Sequence, residues 1–449
     1  MSRIALIGEN SVDYVNILLD IWNNGDCAVL LNPNTPLRSA LQMMKDAGVT
    51  QCYIEEEIYN LYDSTEGEKI IFKSFKNSHR LYPMLLPQQV YRKYNNNYSY
   101  KEAVIIYSSG TTGKAKGIIL SHFAIQTNAD SIIEYMELGK NDTFYVCKSL
   151  THSSTLVGEL LVALKTGAGI VLASTFASPK TVLKRVCMFN ITILCLNPTL
   201  LELYSDEYIN NPLKDFSLRV IYVSGAPLNK KLYKKAHLAW GDIPIYNVYG
   251  LTEAGPRVSA QSIENNRGIS VGKPIRNVQA IVVDSCGRPV PDGECGILHI
   301  NTPSIYSGYV TGGEKNKSLY HNWLNTGDIG LFDSCGELYI LNRVDEVIEL
   351  DSHKIYPGDI ENIILNETSI SECKVIGLKK DERKALGCLY VSEVPIDTEI
   401  RMKLKKKLLA WEIPQIYLKC PSIPKNQNGK ISDADLRIYI RSLNLGYDL

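Results

Sequence analysis

The chain has 449 residues and balances 48 Lys and Arg against 48 Asp and Glu, a formal net charge of zero. This balance carries no signature of a nucleic-acid-binding surface or an acidic tail. No apolar run reaches membrane-spanning length, the N-terminal MSRIALIGENS lacks a charged-then-apolar leader, and the eleven cysteines show neither C-x-x-C nor Cys/His ligand spacing. A cytoplasmic protein with reduced, mostly buried cysteines is expected, without membrane span or nucleic-acid partner.

In chain order, Ser11 is placed to cap a helix whose apolar face is Val15, Leu18, Leu19 and Trp22. An apolar run Cys27–Leu31 follows, then the turn NPNTP. Further strands are predicted at Thr143–Cys147, Gly169–Ala173, Thr192–Leu196 and Arg219–Ser224, with helical stretches such as Leu156–Lys165 between several of them. Such alternation implies parallel sheets covered by helices. Near Val278 the texture changes: VQAIVVD, GILHIN and GELYIL are short strands bounded by Gly, Pro and Asp turns, as in a small antiparallel or barrel-like region. A compact tail follows, with strands at Cys373–Gly377 and Cys388–Ser392 and helices at Pro357–Leu365, Glu399–Ala410 and Asp433–Arg441. The fold class expected is α/β. A large domain over 1–344, with its barrel-like part at about 270–342, precedes a small mobile α+β domain over 345–449.

Tyr107–Gly117 reads YSSGTTGKAKG directly after the apolar run Ala103–Ile106. Glycines let backbone N–H groups approach an anion, hydroxyls donate, and lysines supply positive charge, so this loop is a candidate nucleotide triphosphate cradle. It is not a Walker loop. That motif needs four residues between its Gly and its Gly-Lys pair, whereas two separate Gly110 from Gly113-Lys114 here, and Ala115 follows.

Four further segments carry chemistry: Tyr246–Pro256 (YNVYGLTEAGP), Asn325–Gly330 (NTGDIG), Arg343–Glu361 (RVDEVIELDSHKIYPGDIE) and Pro424–Arg437 (PKNQNGKISDADLR). The first offers an aromatic stacking surface, a hydroxyl and a carboxylate suited to Mg²⁺. The second holds an Asp able to accept hydrogen bonds from ribose hydroxyls. The last presents a Gly-Lys pair on a loop, where a mobile lysine can stabilise developing phosphate charge. Each alone is a common turn, and their joint occurrence in this order is what gives them weight.

With this ordered motif set the chain resembles the adenylate-forming superfamily: acyl- and aryl-CoA synthetases, adenylation domains of non-ribosomal peptide synthetases, and luciferases. The resemblance runs from about Ile4 to Arg437. It implies that Ser108, Ser109, Gly110, Thr111, Thr112, Gly113 and Lys116 grip phosphates, and that Ser224, Gly225 and Ala226 line the adenine and acyl pockets. Tyr249 and Gly250 would lie beside the adenine, Thr252 would touch a phosphate and Glu253 would hold Mg²⁺. Asp328 and Arg343 would bind the ribose, Asp345 would lie at the hinge, and Lys430 would be the catalytic lysine of adenylation. The implied substrates are ATP and a small carboxylic acid. The implied acceptor is CoA or the phosphopantetheine of a separate carrier protein. A non-thiol acceptor and a non-catalytic nucleotide-binding scaffold are the alternatives.

The chain departs from the family pattern at three positions. Ala115 stands where Pro is usual. Asn342 replaces a Gly and, on sequence grounds, is read as tolerating left-handed geometry. Ser352 occupies a glycine position in the loop that approaches pantetheine. His152 resembles the histidine at the acyl pocket of acyl- and aryl-acid enzymes. Ser154 falls where amino-acid-activating members carry an Asp, so an α-amino acid is disfavoured, since its buried ammonium would lack a counter-charge. The basic run Arg401–Lys407 reads as a solvated helix face, with docking of an acidic carrier or of CoA phosphates as its other role.

Overall fold

The computed structural model describes residues 1–59, 70–77, 83–108, 115–173, 177–212, 216–262, 268–312, 319–320, 323–350, 353–380, 383–425, 431, 433–443, 446–447 and 449. The Ser11 hydroxyl accepts from the Tyr14 N–H at 3.0 Å, starting the helix Val12–Asn23, and Val15, Leu18, Leu19 and Trp22 are all buried.

Two large sheets organise the first 274 residues, with one later strand, Gly308–Tyr309, added at the edge of the first. The first orders Gly308–Tyr309, Lys116–Ser121, Glu102–Ser108, Cys27–Leu31, Arg3–Ile7, Gln51–Glu55 and Ile71–Phe75 side by side. Its five strands from Glu102–Ser108 to Ile71–Phe75 run parallel. The second orders Lys273–Pro274, Arg257–Ala260, Ile245–Gly250, Val220–Val223, Ile193–Leu196, Thr143–Val146, Gly169–Leu172 and Met84–Leu85. Its five strands from Ile245–Gly250 to Gly169–Leu172 are parallel.

Alternation along each strand divides the core. Leu6 faces a central cluster shared by both sheets, whereas Ala5 and Ile7 face an outer one. Ile193 and Cys195 face the centre, and Leu194 and Leu196 the opposite surface. Between the sheets lie the helices Val12–Asn23 and His122–Met136 and the stretch 156–166. That stretch is not uniform α-helix as its periodicity suggests: Leu156–Leu161 is a π-helical turn, continued by α-helix over Val162–Thr166.

An antiparallel sheet of Gln279–Val283, Gly296–Asn301, Trp323–Phe332 and Leu319–Tyr320 follows, with Leu338–Arg343 on Trp323–Phe332. The tail has its own apolar clusters. It combines a hairpin of Ile348–Leu350 and His353–Ile355 with a three-stranded sheet (Glu372–Lys380, Arg383–Val391, Ile416–Cys420) and the helices Pro357–Glu367, Asp397–Lys405 and Asp433–Ser442. The predicted helix Glu399–Ala410 ends earlier, at Lys405; only Ile400 and Leu404 of it are buried, so no apolar face extends the helix through the lysines that follow.

Candidate active site

In parallel sheets, ligands bind beyond the carboxyl ends of the strands. Four of the sequence motifs lie there. Ser108 ends the strand Glu102–Ser108, and His152 follows Thr143–Val146. Ser224 and Gly225 follow Val220–Val223, and Thr252 follows Ile245–Gly250. Gly225 has φ +94, a conformation that side chains disfavour.

At the first end, Ser108 pairs directly across from Lys116, so the strands on either side of the candidate phosphate loop are hydrogen-bonded neighbours. Ser109, Gly110, Thr111, Thr112 and Gly113 lie outside the described residues. A Cβ at Gly117 would stand 2.7 Å from the Val310 side chain, so a larger residue there would force Val310 to shift. The Lys116 ammonium sits over the Tyr309 ring, 5.7 Å from its centroid. The Tyr309 hydroxyl donates to Glu253 Oε1 at 3.1 Å, and the Glu253 carbonyl accepts from the Tyr306 N–H at 2.9 Å. Glu253 stands on the short turn Thr252–Ala254. Among the described residues its second carboxylate oxygen accepts no hydrogen bond, which leaves a hard oxygen donor of the kind that binds Mg²⁺ together with substrate phosphates.

Next to it, the Thr252 and Ser153 hydroxyls are 3.0 Å apart. His152 precedes the turn Ser153–Thr155, and its carbonyl accepts from the Leu156 N–H at 2.8 Å. The residues 152–155 and 252–254 thus meet side by side.

At the other end, Tyr249 donates its hydroxyl to Asp328. Burial, then the Asp328 charge, push the Tyr249 phenol well above its ordinary value, so it remains a donor. Asp328 lies across from Arg343 in neighbouring strands, and Arg343 Nη1 donates to Asp328 Oδ1 at 3.0 Å. Arg343 Nε donates to Asp345 Oδ1 at 2.9 Å. Burial opposes the Arg343 charge, but Asp328 and Asp345 outweigh it and hold the guanidinium protonated. Gly250 is required by backbone approach, since a Cβ would fall 2.0 Å from the Pro256 carbonyl oxygen.

Asn342 is not left-handed. It is an ordinary strand residue whose side chain acts instead: its Oδ1 accepts from the Gly358 N–H at 2.9 Å, at the start of the helix Pro357–Glu367. Lys430 and Ser352 lie outside the described residues.

Tyr309 and Arg257 escape the sequence reading. Tyr309 follows a glycine in a turn-rich stretch that carries no recognisable pattern. Arg257 gave a signal, as a charge entering the otherwise small and apolar RVSA strand just after the Thr-Glu segment.

Residues 1–310 match the family described as AMP-binding enzyme. The chain is 27% identical over 340 residues to a probable CoA ligase (CCL9) of Humulus lupulus, a match covering 73% of this chain and 64% of that protein. It is 25% identical to the 2-succinylbenzoate–CoA ligase of Bacillus cereus, over 98% of this chain and 89% of the relative. Its fold matches the ATP-bound crystal structure of MatB from Rhodopseudomonas palustris with a TM-score of 0.84 at 21% identity, covering 98% of this chain and 89% of that one. The chain belongs to the AMP-binding enzyme family.

Proposed function

We propose that the protein activates a carboxylic acid with ATP and passes the acyl group to the thiol of CoA. In the first step a carboxylate oxygen bonds to the α-phosphorus of ATP as the bond to the bridging oxygen breaks and pyrophosphate leaves. In the second the thiol sulfur bonds to the acyl carbon, the thiol proton passes to solvent and AMP leaves. Both partners of the first step are anions, so the protein's work is positioning and charge neutralisation.

The observation that carries this reading is the meeting of Lys116, Tyr309 and Glu253 beside Thr252, at the carboxyl ends of the parallel strands. Glu253 would hold Mg²⁺, and Lys116 and the 108–113 loop would hold phosphates. Tyr249, Gly250, Ser224, Gly225 and Ala226 would border the adenine, and Asp328 and Arg343 would exchange their mutual bonds for ribose hydroxyls. His152 would flank the acid. Lys430 would be brought by the 345–449 domain, turning about Asp345, to the α-phosphate. Closure of that domain would exclude water from a mixed anhydride that hydrolyses when exposed.

CoA as acceptor draws support from the CoA ligases among the relatives. A carrier-protein phosphopantetheine is the second acceptor, favoured by the exposed lysines Lys405 and Lys406. A cytoplasmic setting fits eleven cysteines that are all unpaired. The test is incubation with ATP, Mg²⁺, CoA and a panel of acids that includes 2-succinylbenzoate, following AMP and thioester by chromatography. AMP and acyl-CoA in equal amounts support the reading; ADP as product, or thioester formation without ATP cleavage, contradicts it.

A further inference from the structure

Two buried charged side chains, Glu159 and Arg257, and the partly buried Lys148 come together where the π-helical turn faces the second sheet. Lys148, just after the strand Thr143–Val146, pairs with Glu159 on the turn Leu156–Leu161 at 3.1 Å. Arg257, on the strand Arg257–Ala260, is 4% exposed and interacts electrostatically with Glu159 and with Tyr135. Burial opposes the Lys148 charge, but Glu159 outweighs it and keeps the ammonium protonated. Burial pushes the Glu159 carboxyl up, against the pull of Lys148 and Arg257.

The charges do not balance. A guanidinium cannot shed its proton in a protein. With Glu159 ionised the cluster is left with one surplus positive charge, and with Glu159 neutral the surplus is greater. Glu159 is ion-paired to Lys148 and also attracts Arg257, so the two cations share one carboxylate, and Arg257 is the one outside ion-pair distance of it. Among the described residues no ion pair joins Arg257 to a carboxylate, and its Nε has no hydrogen-bond partner. A buried, uncompensated cation is costly to fold around, and an arriving anion relieves that cost.

The position of the cluster indicates where such an anion would come from. Thr252 meets Ser153 at 3.0 Å, at the start of the helical stretch that runs into the π-turn. Five residues later on both segments, Arg257 meets Gly158: a Cβ on Gly158 would lie 3.3 Å from Arg257 Nη2. The absence of a side chain there leaves the guanidinium room. Five residues of helix span about 7 Å. An acid whose reacting carboxylate sat at Thr252 and His152 and whose chain followed this helix would reach Arg257.

We infer that Arg257 is a specificity-determining residue of the acid pocket and that the preferred substrate carries a second anionic group, a dicarboxylic acid with its carboxylates several bonds apart. The inference rests on the adenylation reading above.

The experiment is acid-dependent ATP–pyrophosphate exchange with matched pairs: adipate against hexanoate, glutarate against valerate, and 2-succinylbenzoate against 3-benzoylpropionate. The wild-type protein is expected to favour a dicarboxylate over its matched monocarboxylate by roughly 10²-fold or more in kcat/KM, since an unmet buried polar group penalises the wrong substrate. Arg257→Met should remove that preference by lowering dicarboxylate exchange far more than monocarboxylate exchange, and Arg257→Lys should restore part of it. A loss of both substrates in parallel would assign Arg257 a structural role and overturn the inference. Wild-type exchange with monocarboxylates in preference to dicarboxylates overturns it without any variant and leaves adenylation standing. Absence of exchange with every acid, with ATP binding intact by calorimetry, overturns the inference together with the adenylation reading.

Discussion

The Tyr309 hydroxyl donates to Glu253 Oε1 at 3.1 Å while its ring lies under the Lys116 ammonium, 5.7 Å away. One side chain thus joins the candidate Mg²⁺ carboxylate to the lysine at the end of the phosphate loop. Tyr309 is held for this by the short strand Gly308–Tyr309, which pairs with Ile118 and Ile119 next to Lys116.

Tyr309→Phe removes the hydrogen bond and keeps the ring. A single hydrogen bond to a charged group stabilises by about 1.5–3 kcal/mol. The expected outcome is a fall of roughly 10-fold or more in adenylation rate at low Mg²⁺, partly restored by excess Mg²⁺. The check is an Mg²⁺ titration of the exchange rate, and an unchanged Mg²⁺ dependence would show that Tyr309 does not position Glu253.

Asn342→Ala leaves the Gly358 N–H without its 2.9 Å acceptor at the start of the helix Pro357–Glu367. Loss of a helix-capping acceptor costs about 1 kcal/mol. The midpoint of urea unfolding, followed with a probe in the tail, should fall accordingly. Restoring the family's glycine by Asn342→Gly should have a similar effect, because the side chain and not a backbone angle is what the position uses.

Much of the fold is legible in the sequence because its determinants are local. The spacing of Val15, Leu18, Leu19 and Trp22 behind Ser11 specifies a capped helix with one buried face, and the apolar run Cys27–Leu31 is long enough only for a strand. Pairing is less legible. Arg3–Ile7 lies between Cys27–Leu31 and Gln51–Glu55, an order that depends on crossovers and leaves no mark on the strand itself. The π-turn at Leu156–Leu161 escapes a periodicity argument because all six residues are buried. Asn342 illustrates a further gap. Comparison with a glycine suggested a backbone explanation, whereas the side chain has a partner sixteen residues away. The site motifs were readable where one segment supplies several groups, as in YGLTE. Tyr309 and Arg257 act singly, and only the tertiary structure shows what they face.

His122 supplies a pH dependence. Burial pushes its imidazole down from 6.5 to about 4, and it packs edge-on to Trp22. The unfolded chain therefore binds a proton between about pH 6.5 and pH 4 that the folded protein refuses. The stability tied to the neutral ring is fully present above the unfolded value and is lost as pH falls toward the folded one, by roughly 2 kcal/mol at pH 5. Comparing urea midpoints at pH 7 and pH 5 for wild type and His122→Phe checks this. The variant should lose less over that interval.

Ser352→Gly returns the glycine of the pantetheine loop. Faster thioester formation at an unchanged adenylation rate is expected if the serine obstructs CoA. Single-turnover transfer from a preformed acyl-adenylate measures it, and a slower or unchanged variant would assign the serine to the native acceptor path.

We propose that this protein forms an acyl-adenylate with Lys430 as the charge-stabilising group. Acid-dependent ATP–pyrophosphate exchange, run on wild type and Lys430→Ala, tests it most directly. Exchange in the wild type and a loss of roughly 10²–10³-fold in the variant are expected, as for removal of one charge-stabilising donor, with transfer from a supplied acyl-adenylate largely intact. Absence of exchange by the wild type with any acid, or equal loss of both half-reactions in Lys430→Ala, would contradict it.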